Sequence, residues 1–294
     1  MSIVGLRRER LSAGRSVGAR FARHRLAMVS LAVLVALCVL CFGAALFAPY
    51  APTAQNLRLG PVGPTWHHWF GTDELGRDQL TRLLYAGRVS LAIGLAVAVL
   101  STFVGTAVGA VAGYFGAFAD QALMRLTDLF LVVPALAVLA LALEHFGNGD
   151  LTIVLVLAGL FWMYVARIVR AEVLAIKERE FVEAAQAIGA SPARVVVRHI
   201  LPNVAGPIVV NATLAVATAI LAESTLSFLG FGVQPPNTSW GAMVADAQPY
   251  LGTSKSYLLW FPGLAILVTV LAVNFVGDGL RDALDPRHGT RATR

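Results

Sequence analysis

The segment EFVEAAQAIGASPARVVVRHILPN, residues 180–203, sits between two strongly apolar stretches, and the rest of the chain is organised around it. Glu180 to Ile188 has helical periodicity, with Ala184 and Ala185 as a small pair, and Gly189 stands where a helix needs a left-handed closing residue. Ser191 and Pro192 then read as an N-cap and a first-turn proline. They open a second helix through Ala193, Val196, Val197 and His199, with Pro202 as its stop. The spacing predicts two short helices meeting at a sharp corner. With membrane spans on both sides, such an elbow cannot lie in lipid, because its backbone groups at the corner have no partners there. It projects into one aqueous compartment as a knob that another protein can grip.

Composition supports the bilayer setting. The chain has 294 residues and is 57% hydrophobic but only 14% charged, with a mean hydropathy of +0.71, which excludes an ordinary soluble globule. Lys and Arg number 23 against 17 Asp and Glu. The basic residues crowd span ends and are not interleaved with aromatics, so their excess reads as topology, and no nucleic-acid partner is expected. Cys38 and Cys41 fall within one apolar run and read as small apolar residues.

Residues 1–25 form a basic tail, expected in the cytoplasm, with Arg7, Arg8, Arg10, Arg15, Arg20, Arg23 and Arg25. Leu26 to Ala48 follows without a charge and is the first span, 26–48, too long for the core of a secretory signal. Pro49, Pro52, Pro61 and Pro64 force an extended external segment, 49–88, in which Trp66, Trp69 and Phe70 are candidates for the membrane interface. Thr72 or Asp73 can cap an interfacial helix there. The apolar core, 89–279, supplies five more spans at 89–117, 122–144, 151–170, 206–230 and 257–279, with the polar loop 173–205 inside it and a tail, 280–294, after it. Six spans return the C-terminus to the side of the N-terminus. All but five of the basic residues (Arg58, Arg77, Arg82, Arg88 and Lys255) then fall on that side, which the positive-inside rule makes cytoplasmic. The expected class is an all-α polytopic membrane protein of the plasma (inner) membrane, with the lipid bilayer as one of its partners.

Polar residues inside spans mark positions to explain. Gly94, Gly105, Gly109 and Gly113 form a small-residue face for close helix packing. Glu223 lies in the fifth span with Asn211, Ser224 and Thr225, and a central carboxylate costs about 2.5–3.5 kcal/mol to insert, so it must face a partner or water. Asn211, Glu223 and Ser224 are candidate pathway residues, with a hydrogen bond to a neighbouring helix as the alternative for Glu223. Asn274, Asp278, Arg281 and Asp282 read as an ion-paired helix end.

Four separated strings carry a resemblance. Glu183-Ala184-Ala185, Gly189 and His199-Ile200-Leu201-Pro202 resemble the E-A-A loop of ABC-importer permease subunits, with His199 where many such loops have an apolar residue. Phe70-Gly71-Thr72-Asp73-Glu74-Leu75-Gly76-Arg77-Asp78, Leu226 to Pro236 followed by Ser239-Trp240-Gly241, and Asp278 to Pro286 are similar to the peptide and nickel permeases. Together they extend over residues 70–287. The resemblance implies a type I ABC importer permease fold with six transmembrane helices. It also implies a sister permease subunit as heterodimer partner, one or two ATP-binding subunits, and an extracytoplasmic substrate-binding protein. It makes Glu183, Ala184, Ala185, Gly189, His199, Leu201 and Pro202 the coupling loop, and Asp73, Gly76, Arg77, Asp78, Arg82 and Trp240 the external mouth or docking surface.

The sequence has no Gly-x-x-x-x-Gly-Lys-Ser/Thr loop, so the chain is expected to bind no cofactor, with ATP and Mg on partner subunits. No catalytic constellation or metal-ligand spacing is assigned; His67-His68 and Glu144-His145 are given no chemistry. The expected role is an ATP-driven importer subunit for dipeptides or oligopeptides, not an enzyme itself. The alternatives are a carrier driven by an ion gradient, with Glu223 as proton site, and a membrane scaffold that transports nothing.

Overall fold

A computed structural model describes residues 17–147 and 149–284, and among these it contains helices and turns but no strand, only an isolated bridge between Thr72 and Asp78. Arg7, Arg8, Arg10, Arg15, Arg287, Arg291, Arg294 and the Asp285-Pro286 end of the last motif lie outside the described residues. After a helical segment at 17–23, the helices are α1 (Arg25–Phe42), α2 (Ala44–Phe47), α3 (Gln79–Phe115), α4 (Ala117–Val132), α5 (Ala135–Phe146), α6 (Asp150–Lys177), α7 (Glu180–Ala187), α8 (Pro192–Val195), α9 (Leu201–Phe228), α10 (Trp240–Asp246) and α11 (Tyr257–Leu284). Among the described residues, five helical stretches are long and apolar enough to cross a membrane: α1, α3, α6, α8 through α9, and α11.

The expected span 122–144 is a bent pair instead. Helices α4 and α5 meet at 87° around Pro134, so six crossings result only if the pair counts as one. The cause is in the sequence: Pro134 lacks an N–H and holds Val133 extended, with ψ 128°.

The external helix expected from Thr72 or Asp73 is the start of the second span. Asp78 caps α3 by accepting from Thr81 N at 2.8 Å, and no proline interrupts the chain from there to Phe115. At 37 residues α3 is about 55 Å long, well beyond a hydrocarbon layer of about 30 Å.

Packing centres on α3 and α6. A Cβ at Gly105 would lie 2.5 Å from the Trp162 carbonyl oxygen and 2.6 Å from Val165 Cβ, and one at Gly113 would lie 2.9 Å from Val173. Apolar burial hardly distinguishes partner from lipid, so this close approach is what holds the pair. Higher on α3, Gly94 meets Ile220 of α9 in the same way, at 2.6 Å. Phe103 (74% exposed), Leu129 (67%) and Leu151 (70%) turn outward, as befits helices that meet hydrocarbon or another subunit.

Candidate functional site

The elbow closes one end of the molecule. Helix α7 ends in a two-bond left-handed cap: Gly189 N donates to Gln186 O at 2.9 Å and Ala190 N to Ala185 O at 3.1 Å, with Gly189 at φ +82°. Ser191 occupies the N-cap position of α8 with Pro192 in the first turn, but its hydroxyl caps nothing; its carbonyl accepts from Val195 N at 2.9 Å. Pro202 does not stop the second helix. A π-turn over Val196–Ile200 absorbs one extra residue, Leu201 N bonds to Val196 O, and the chain continues through Pro202 into α9. In the first turn of α9 a missing N–H costs little.

The two alanines of the Glu183-Ala184-Ala185 triplet face opposite ways. Val182 and Ala185 of α7, with Val195 and Ile200, pack inward against Ala110 and Tyr114 of α3 and Val165, Val169 and Val173 of α6. Gln186 Nε2 adds a bond to the Tyr114 hydroxyl at 3.3 Å. Glu183, Ala184, Gly189 and Pro202 are exposed, while His199 and Leu201 are half-buried. Ile188 (86% exposed) and Val197 (64%) complete an outward apolar surface. Ala185 is therefore small for the chain's own packing, and only Ala184 is free to allow a partner's approach.

The opposite end is built from the segment 49–78, the loop 229–239 and α10. Asp73 organises it. Its Oδ1 accepts from Leu75 N (3.0 Å) and Arg77 N (2.9 Å), and its Oδ2 from Arg77 Nε (2.6 Å) and Arg82 Nη1 (2.8 Å). Arg82 Nη2 reaches on to Asp246 of α10 at 3.1 Å. Asp78, besides capping α3, is hydrogen-bonded to His68 Nδ1 at 2.9 Å, so His68 helps to hold the turn. Gly76, at φ +65°, admits the Asn56 carbonyl where any side chain would collide. Trp66 and Trp69 are exposed, as interface residues would be, but Phe70 stacks on Phe261 with centroids 4.0 Å apart.

Trp240 is no surface residue. It is 1% exposed, its indole Nε1 donates to Leu83 O at 3.0 Å, and its backbone N donates to Ser90 Oγ at 3.0 Å. The three candidate pathway residues are also separated. Asn211 lines a cavity of about 320 Å³ between α6 and α9, with Phe161, Tyr164 and Thr218, and its amide donates to Pro207 O. Glu223 is fully buried away from that cavity and accepts from Ser227 Oγ at 2.6 Å and Ser90 Oγ at 3.4 Å, while Ser227 Oγ contacts Ser239 Oγ at 3.3 Å. This is the helix-to-helix hydrogen bonding left open for it, now with named partners. The Ser224 hydroxyl is buried with no partner among the described residues.

Sequence reading missed the serines around Glu223 and the place of Asp246. Ser227 and Ser239 stand in quoted strings, but nothing local shows that Ser90, 133 positions away, donates to Glu223.

Residues 105–289 match the family described as binding-protein-dependent transport system inner membrane component, and residues 12–61 match the N-terminal transmembrane domain of oligopeptide transport permease C. The oligopeptide transport system permease protein OppC of Bacillus subtilis is 41% identical over 91% of this chain and 88% of its own length. OppC of Mycobacterium tuberculosis is 41% identical over 91% and 92%, and the dipeptide permease DppC of B. subtilis is 40% identical over 96% and 88%. Among solved structures, a chain of the MetNI methionine ABC transporter in an inward-facing conformation aligns over 69% of this chain and 97% of its own, with a TM-score of 0.56 and 19% identity, a likeness of fold.

Proposed function

The chain belongs to the family of binding-protein-dependent transport inner-membrane components, as a multi-pass permease subunit of an ABC importer, and from that premise we propose that it imports short peptides with the elbow as its drive point. The peptide substrate is argued from the relatives, whose names are those of oligopeptide and dipeptide permeases. Dedicated ATP-binding subunits would hold ATP and Mg, a sister permease would complete the membrane pore, and an extracytoplasmic binding protein would deliver the peptide. The elbow and both termini would then face the cytoplasm, which agrees with the distribution of basic residues.

The observation that carries this reading is the two-sidedness of the elbow. Its inner face is fixed to α3 and α6, while Glu183, Ala184, Ile188 and Val197 are presented outward. A knob anchored on one side and open on the other moves with its spans when gripped. ATP-driven closure of two motor subunits would rock the spans between outward and inward openings, provided ATP binds the two states with different affinity. Nothing in the geometry favours an ion-gradient carrier with Glu223 as proton site, because both oxygens of that carboxyl take hydroxyl donors inside the subunit.

The test is site-directed cross-linking in the assembled complex. Ala184→Cys and Ile188→Cys should couple to the ATP-binding subunit, and uptake of a labelled dipeptide or tripeptide should require ATP and the binding protein. Coupling of either cysteine from the extracytoplasmic side, or peptide uptake that persists without ATP, would overturn the proposal.

A further inference from the structure

The direction of each hydrogen bond around Glu223 is set by the backbone. Ser90 Oγ is occupied as an acceptor by Trp240 N–H (3.0 Å), so its own proton turns to Glu223 Oε2. Ser239 Oγ accepts from Ala242 N–H (3.1 Å), so its proton turns to Ser227 Oγ, which in turn donates to Glu223 Oε1. Two chains of donors thus begin on the backbone of α10 and end on one carboxyl. Their hydroxyls come from three elements: Ser90 from α3, Ser227 from α9 and Ser239 from the cap of α10. Backbone approach is as close as hydrogen bonding here demands: a Cβ on Gly241 would lie 2.5 Å from Ser224 Cα.

This relay borders open space. Ser227 and Ala242 line a cleft of about 680 Å³ that Gln55, Arg77, Arg82, Gln234 and Asn237 also line. A body entering the cleft touches all three elements that the relay joins, through Arg82 of α3, Ser227 of α9 and Ala242 of α10. We propose that Glu223 is a positioning residue that transmits occupation of this cleft to α3 and α9, by making α10 and those two spans move as one piece. The inference rests on the importer reading for the identity of the occupant, the substrate-binding protein. It replaces a pathway role for Glu223 with a coupling role.

The experiment uses the complete complex with its ATP-binding subunits and reads ATP hydrolysis with and without peptide-loaded binding protein. Glu223→Gln keeps the shape but points an N–H₂ at hydroxyls that already donate, leaving one donor without an acceptor. The ratio of stimulated to basal hydrolysis should fall about tenfold, within the usual span of site-to-site couplings. Ser239→Ala breaks the second donor chain at its start and should lower the same ratio. It carries the test alone if Glu223→Gln fails to assemble. A wild-type ratio in Ser239→Ala and in any Glu223→Gln complex that assembles, even with lowered thermal stability, would overturn the coupling role. Absence of stimulation in the wild-type complex would overturn the importer reading itself, and the inference with it.

Discussion

The elbow and the opposite end achieve rigidity by different means. The elbow is made from neighbours in sequence: its cap bonds join residues no more than five apart, and its inner face drops small apolar side chains into a groove between α3 and α6. The opposite end is made from residues far apart in sequence: Arg82 with Asp246, Ser90 with Glu223, Trp240 with Leu83, at separations of 164, 133 and 157 positions. One region leaves Glu183, Ala184, Ile188 and Val197 exposed and unused by its own packing, and the other consumes its polar groups in holding itself together. Substitutions should therefore cost stability at the opposite end and cost partnership at the elbow.

Trp240→Ala should have the largest effect, about 3–5 kcal/mol, because it empties a buried site and leaves the Leu83 carbonyl without its indole donor. Thermal unfolding of the purified chain in detergent is the measurement, and a loss below about 1 kcal/mol would break the contrast. Asp73→Ala should follow at about 3 kcal/mol, since it strands Arg77, the buried Arg82 and two backbone N–H groups together. Asp73→Asn should recover part of that loss by keeping an acceptor for the two N–H groups.

Gly189→Val should cost about 1–2 kcal/mol for forcing a β-branched residue to φ +82°, with no steric clash to add, because the space around Gly189 is open. Membrane insertion should be normal, whereas ATP hydrolysis should no longer be matched by peptide uptake, as counted by parallel assays on the same vesicles. Normal uptake by this variant would argue against the elbow as drive point. Glu183→Ala sharpens the contrast from the other side. Its stability change should stay within about 0.5 kcal/mol, as for an exposed side chain, yet recovery of the ATP-binding subunit on affinity purification should drop.

How much of this was legible in the sequence follows the same division. The elbow's first cap was readable because Gly189 must close α7 through local geometry, and the first-turn place of Pro192 was readable for the same reason. Pro202 misled because a proline reads as a helix stop unless a π-turn precedes it, and a π-turn has no residue signature. The packing stripe Gly94, Gly105, Gly109 and Gly113 was readable from spacing, although which helices it would meet was not. Trp240, placed with the external mouth by its neighbours in the motif, is a core anchor, and of the two settings left open for Glu223, water or a helix-to-helix hydrogen bond, the structure shows serine partners. In both, a contact that ties the residue to α3 lies more than 130 positions away.

The π-turn also has a mechanical consequence. Because Val196–Ile200 joins α8 to α9 by helical turns with no break in the chain of hydrogen-bonded residues, the corner and the long helix behind it form one continuous element, with Pro207 inside it. From Leu201 to Glu223 that element covers about 33 Å at the ordinary helical rise. Were the knob displaced, the same helix that carries the displaced corner would carry Glu223 at its far end.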